Sequence, residues 1–143
     1  MTSPLSSRLA VIGGGNMGAA LIGGLIAGRW CEPEHLTVVE VSPERRIVLG
    51  EQFPGVHVAA TVPACEAALI AVKPGDVAAA VRAAVAGGAT RVLSIAAGVS
   101  IAQLEEAAGA GVAVVRSMPN TPALVGEGAA AIAGGSTADD DDL

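Results

Sequence analysis

Residues 11–18 read VIGGGNMG, and the fold turns on whether these glycines hold a phosphate or only turn a corner. Gly13, Gly15 and Gly18 fit G-x-G-x-x-G, in which the first glycine makes a tight turn, the second lets backbone approach a pyrophosphate, and the third lets helix pack on strand. In a chain rich in Ala and Gly the spacing alone is a weak signal, so the neighbouring sequence decides. RLAVI at 8–12 is a short apolar run that ends at the glycines. Asn16 to Gly28 follows, with Met17, Leu21 and Leu25 at helical spacing. The motif therefore sits between strand and helix, where backbone N–H groups and the helix dipole suit a pyrophosphate.

The next apolar run, LTVVEV at 36–41, predicts a buried strand carrying Glu40 near its end. That carboxylate lies roughly twenty residues beyond the motif, where it can accept from ribose hydroxyls; an exposed strand-end charge is the competing reading. Ser42 is placed to cap a helix through SPERRIVLGEQF, with Pro43 in its first turn and Glu44 at its positive end. Short strands are expected at 56–59, 67–72, 91–95 and 112–116, with a last one in AAAIAG at 129–134. VPACE leaves room for one helical turn at most. Asp76 opens an Ala/Val helix, and Ser100 with Gln103 forms a capping box at the start of another. SMPNTPALVGEG at 117–128 reads as loop. Apolar strands alternating with helices predict an α/β fold: a doubly wound, mainly parallel Rossmann-type sheet with helices on both faces.

Composition narrows the function. The chain has 143 residues, 52% of them hydrophobic but with one Phe, one Trp and no Tyr, which predicts a core of small aliphatic side chains. Eight basic against 14 acidic residues give a net charge of -6, so neither nucleic acid nor an anionic membrane is an expected partner. No apolar stretch reaches membrane-spanning length, and MTSPLSSRLAVI lacks the charged flank of a secretory signal. Cys31 and Cys65 lack CxxC spacing, which points to free thiols in a reducing compartment, with no metal site and a cytoplasmic location. Asp139 to Asp142 reads as a solvated end or the first turn of a further element, because consecutive side chains do not converge on a metal.

In an open α/β sheet, ligands lie beyond the carboxyl ends of the strands where strand order reverses. Three further segments end strands there: AVKPGD at 71–76, SIAAGV at 94–99 and RSMPNTPA at 116–123. Lys73, the only lysine, is expected to contact cofactor. Asn120 and Thr121, bracketed by Pro119 and Pro122, present an amide and a hydroxyl beside substrate, or serve the turn itself. His35 and His57 fall before and within edge strands on this reading, as surface or packing residues.

These loops together resemble pyrroline-5-carboxylate reductase: IGGGNMG at 12–18, AVKP at 71–74, SIAAGVSI at 94–101 and RSMPNTPALVGEG at 116–128 occur in family order over nearly the whole chain. The resemblance implies NADPH- or NADH-dependent reduction of the cyclic imine 1-pyrroline-5-carboxylate to proline. It also implies that an all-helical domain, which makes a homo-oligomer and holds substrate, follows the dinucleotide domain. On this basis residues 1–135 are the NAD(P)-binding domain, and 136–143 an acidic tail or the truncated start of the helical one.

Carried over by position, Gly13, Gly14, Gly15, Asn16, Met17 and Gly18 hold pyrophosphate, and Ser42 lies near the adenosine ribose. Ala71, Val72, Lys73 and Pro74, with Ala96 and Ala97, flank the nicotinamide. No catalytic acid is named, because an imine that is already protonated needs none. Two departures stand out. Glu40 replaces a small neutral residue of many NADP-using members, and the chain between Val58 and Glu66 is shorter than usual. Glu40 is expected to weaken discrimination in favour of NADPH while Arg45 and Arg46 reach toward a 2′-phosphate, so that both cofactors bind. A related β-hydroxyacid-dehydrogenase-like or deazaflavin-dependent NADP reductase shares the first domain, but MPNTPALV speaks against it. A nucleotide-binding module without catalysis is the remaining alternative.

Overall fold

The computed structural model describes residues 9–29, 32–119 and 130–134. Its strands are β1 (Leu9–Ile12), β2 (Leu36–Val39), β3 (His57–Ala59), β4 (Ala67–Ile70), β5 (Arg91–Ser94), β6 (Ala113–Pro119) and β7 (Ala130–Gly134). The helices are α1 (Asn16–Ala27), α2 (Pro43–Gln52), α3 (Val77–Ala86) and α4 (Ile101–Ala108), and 3-10 turns occupy Pro33–His35 and Pro74–Asp76. The strands form one sheet in the order β3-β2-β1-β4-β5-β6-β7. β1 to β6 pair in parallel, and β7 closes the β6 side antiparallel. The chain thus winds outward from β1 in one direction, returns to β4, and winds outward in the other. Strand order reverses between β1 and β4.

Alternation along each strand feeds two helical layers, since successive side chains point to opposite faces. From β1 and β4, Ala10, Ile12, Ala68 and Ile70 join Val77, Val81 and Ala84 of α3 and Leu104 of α4. Val11 and Leu69 face the other way, with Ala19 and Ile22 of α1 and Leu49 of α2. Every residue of β2 is buried, as a parallel strand covered on both faces should be. The helix starts follow their caps. The Ser42 hydroxyl accepts from the Arg45 N–H, with Pro43 in the first turn. Ser100 and Gln103 form the reciprocal capping box.

Several expected boundaries move. β2 and β4 end at Val39 and Ile70, although one further ladder bond follows each: Glu40 N–H to Ala59 O at 2.9 Å and Ala71 N–H to Ile12 O at 2.8 Å. Val41 is 82% exposed and outside the sheet. α3 begins at Val77 because a 3-10 turn takes up Pro74–Asp76. His35 precedes an interior strand; only His57 lies on an edge strand. The segment read as loop from residue 117 is strand as far as Pro119, because β7 supplies it with an antiparallel partner. Residues 120–129 and 135–143, and with them Asn120, Thr121 and the acidic run, lie outside the described residues, as does Cys31.

The short β3-to-β4 connection carries no helix. It has to span three strand spacings and the height of the sheet, roughly 20 Å, which seven extended residues can reach. On the way Val62 and Cys65 pack into the α3 layer, and the Cys65 N–H donates to Gly87 O at 3.2 Å. Burial pushes the Cys65 thiol pKa up, so it is held as the neutral thiol.

Candidate functional site

The glycine turn leaves the carboxyl end of β1 at the point where strand order reverses, and its glycines do different work. Gly13 has φ +108, and a Cβ there would lie 2.5 Å from the carbonyl oxygen of Ala71, the residue just past β4. A Cβ on Gly18 would run into the Gly13 carbonyl, so α1 can approach the strand only because that residue has none. These two positions turn the corner and close the packing. Gly15 differs. It has extended backbone (φ -73, ψ -166) that any residue can adopt, and a Cβ there would meet nothing within 4 Å. The middle glycine is demanded by neither its own conformation nor its neighbours, so it keeps the space in front of α1 open.

That space faces a helix end without a protein cap. Gly15 is the N-cap of α1 and forms no side-chain cap hydrogen bond, and Asp76 forms none at α3, whereas α2 and α4 each carry a serine cap. The first N–H groups of a helix have no intrahelical acceptor and sit at the positive end of its dipole. Exposed Gly15 and Asn16, with half-buried Met17 behind them, form the open lip. Backbone donors, a positive dipole end and room where a Cβ would stand suit a pyrophosphate. The residues present therefore fit the dinucleotide expected from the sequence.

Gly14 is buried beneath this lip, and a Cβ on it would collide with Leu49 Cδ1 of α2. Its N–H donates to Glu40 Oε1 at 3.0 Å, and the second oxygen of the same carboxylate, Oε2, accepts the Ser42 N–H at 3.0 Å. The structure thus brings Glu40 directly to the glycine turn and ties Ser42 to it through that carboxylate. Arg45 Nε donates to Gly14 O at 2.6 Å, and Arg46 Nη1 donates to Glu40 O at 2.9 Å and Val41 O at 3.0 Å. Both guanidinium groups, expected to reach toward a 2′-phosphate, are thus anchored on backbone carbonyls, Arg45 on the glycine turn and Arg46 on the end of β2. That backbone role escaped the sequence reading, as did the place of Leu49 under Gly14; the only signal for the former was two arginines in the first turns of a capped helix.

Across the reversal point, Ala71 touches the glycine turn on two sides. It faces Gly13 through its carbonyl, and a Cβ on Gly18 would lie 3.6 Å from its own Cβ. Val72 is half-buried, whereas Lys73 and Pro74 are exposed. Ala96 is buried and Ala97 exposed at the end of β5. Their turn is held by Ser94, a fully buried residue whose hydroxyl accepts the Ala96 N–H at 3.2 Å. The Ile95 N–H donates back to Ile70 O at 3.1 Å. A lone serine in the apolar run RVLSI was the available signal for this anchor. All the described candidate positions therefore lie at the carboxyl ends of β1, β2, β4 and β5 or in the first turn of α1, around the point where strand order reverses.

The chain is similar to known proteins in both sequence and fold. The pyrroline-5-carboxylate reductase of Corynebacterium melassecola is 37% identical over 145 residues, which cover 96% of this chain and 53% of that protein. The structure of a pyrroline-5-carboxylate reductase from Coxiella burnetii superposes with a TM-score of 0.84 at 29% identity, over 95% of this chain and 52% of that one. The Plasmodium falciparum pyrroline carboxylate reductase with NADP bound gives a TM-score of 0.78 at 26% identity, over 94% and 50%. The chain spans about half the length of the curated relatives it matches. The family model described as NADP oxidoreductase coenzyme F420-dependent matches residues 8–98. That stretch begins one residue ahead of β1 and takes in the glycine turn, the β2 end, the Lys73 loop and the Ser94 turn, so the chain belongs to the NADP oxidoreductase, coenzyme F420-dependent, family.

Proposed function

We propose that this chain supplies the NAD(P)H-binding domain of an enzyme that reduces 1-pyrroline-5-carboxylate to proline. The observation that carries the reading is the contrast among the glycines at the reversal point: Gly13 and Gly18 are required by packing, and Gly15 is not. An open, uncapped helix end is what a bound pyrophosphate needs. The substrate is argued from the relatives. The family match stops at residue 98, whereas similarity to reductases named for this imine covers 96% of the chain and so includes much of the RSMPNTPALVGEG stretch.

NAD(P)H, when bound, supplies a hydride. The chain's part is placement. Gly13 to Gly18 receive the pyrophosphate, Glu40 and Ser42 lie at the adenosine ribose, and Ala71 to Pro74 with Ala96 and Ala97 flank the nicotinamide. The small side chains of Ala71, Ala96 and Ala97 leave room for a flat ring; Asn120 and Thr121, outside the described residues, stay the candidates for the substrate side. Hydride adds to the carbon of the C=N bond; where the nitrogen already carries its proton, the amine forms without a side-chain acid. Orientation is then the main source of rate. A homo-oligomer and a cytoplasmic location belong to the same reading.

Calorimetric titration with NADPH and NADH is the test, on the chain and on Gly15→Val. The wild type binds at least one of the two. The variant, folded by circular dichroism, loses binding because its side chain fills the pyrophosphate space; unchanged affinity defeats the reading. With the imine added, the 143 residues alone turn over far below an ordinary enzyme's ~10 per second, because small-molecule sites usually form between domains.

A further inference from the structure

Gly14 stands between the glycine that turns the corner and the one that keeps the space open, and it is gripped on three sides from the end of β2 and from α2. Its N–H donates to Glu40 Oε1 at 3.0 Å, its carbonyl oxygen accepts from Arg45 Nε at 2.6 Å, and Leu49 fills the place a Cβ would take. An anion at the N–H and a cation at the C=O make both bonds charge-assisted. No peptide bond among the described residues is cis, so the carbonyl and the N–H of the Gly14–Gly15 peptide point in opposite directions. With the oxygen turned to Arg45, the Gly15 N–H faces the other way. No described residue accepts it. Between two glycines a peptide plane is easily turned over, because neither residue resists positive φ; flipped, this one would present its oxygen where an anion is to sit. The guanidinium blocks that flip and polarises the amide it holds, which strengthens the N–H as a donor.

We infer that Arg45 is a positioning residue for a pyrophosphate: through the Gly14 carbonyl it fixes the peptide whose N–H, at Gly15, donates to an anion in front of α1. The inference rests on reading the glycine turn as a dinucleotide site. It gives Arg45 a role that is the same whether or not the ribose is phosphorylated, because the bond it makes lies at the turn. Arg46 differs. Its Nη1 donates to Glu40 O and Val41 O, so of the two arginines Arg45 is the one bonded to the glycine turn.

The test is titration of the chain, Arg45→Met and Arg45→Ala with NADH, NADPH and ADP, beside the amide proton–nitrogen spectrum of each ligand-free protein. Arg45→Met keeps the packing of the stem and removes the donor, and Arg45→Ala removes both; either one, folded, is sufficient. All three ligands weaken by roughly tenfold, the size of about one hydrogen bond to an anion, and the ratio of the NADPH and NADH dissociation constants is unmoved. The Gly15 amide nitrogen resonance moves upfield, because the carbonyl of its peptide has lost the cation. A loss for NADPH that exceeds the loss for NADH overturns the inference alone, since Arg45 then serves the 2′-phosphate. Unchanged affinities in folded variants, or an unmoved Gly15 resonance, also overturn it alone, since Arg45 then holds only the fold. A wild-type chain that binds neither dinucleotide overturns the dinucleotide reading and this inference with it.

Discussion

Replacing Gly13 and Gly15 separately by alanine separates the two jobs of the glycine turn. At Gly13 the new methyl group needs φ +108 and a position 2.5 Å from the Ala71 carbonyl oxygen. The backbone of Ala71 cannot swing away freely, because its N–H is bonded to Ile12 O. Positive φ costs a side chain about 1–2 kcal/mol, and forcing an extra methyl group into a packed region adds about 1–3 kcal/mol. A total near 3 kcal/mol lowers the melting temperature of a chain of this size by about 10 °C. At Gly15 the backbone is already extended and the space empty, so the alanine should be neutral or stabilise by about 0.4–1 kcal/mol through the unfolded chain. Thermal melts followed by circular dichroism give both numbers. The partition of roles is refuted if Gly15→Ala destabilises as much as Gly13→Ala.

Ser100→Ala removes the hydroxyl that accepts the Gln103 N–H at 3.1 Å and should cost about 1 kcal/mol, read as a shift in urea midpoint at unchanged slope. Cys65 is a buried thiol whose pKa burial raises, so the native state holds its proton more tightly than the unfolded chain does. Stability is therefore full below the ordinary thiol value of 9.0 and declines as pH rises from there toward the native value. In denaturation curves across alkaline pH, Cys65→Ala should show a shallower decline than the wild type.

Much of the architecture was legible because parallel sheets announce themselves. LAVI, LTVV and AALI are each followed by glycine, a serine cap or Lys-Pro-Gly, and strand-turn-helix order then dictates the rest. Ser42 and Ser100 cap where their sequence context places them, since capping is a local interaction. What stayed hidden was non-local. That Glu40 bonds Gly14, 26 residues away, depends on β1 and β2 being neighbours in register. The anchoring of Arg45 on Gly14 O, 31 residues away, has the same origin. Pro119 reads as a strand breaker in isolation; its inclusion in β6 depends on residues 130–134 coming back alongside.

That return has a consequence for how the domain holds together. β5 ends at the level of Arg116, so the ladder gives Ser117 to Pro119 only β7 as a partner. Four of the five crossovers between the parallel strands run to 17 residues or more, whereas β6 and β7 are joined by ten residues and can zip as a hairpin. Local pairing of this kind opens and recloses as its own cooperative unit, at a free energy below that of global unfolding. The projecting end of β6 stands beside the edge where the candidate loops gather, so that flank of the cleft is hinged on a separately melting unit. Amide exchange at Ser117 and Met118 should therefore be faster than at Val92 or Leu93, and the same opening would let that flank breathe while the glycine turn stays fixed to its sheet.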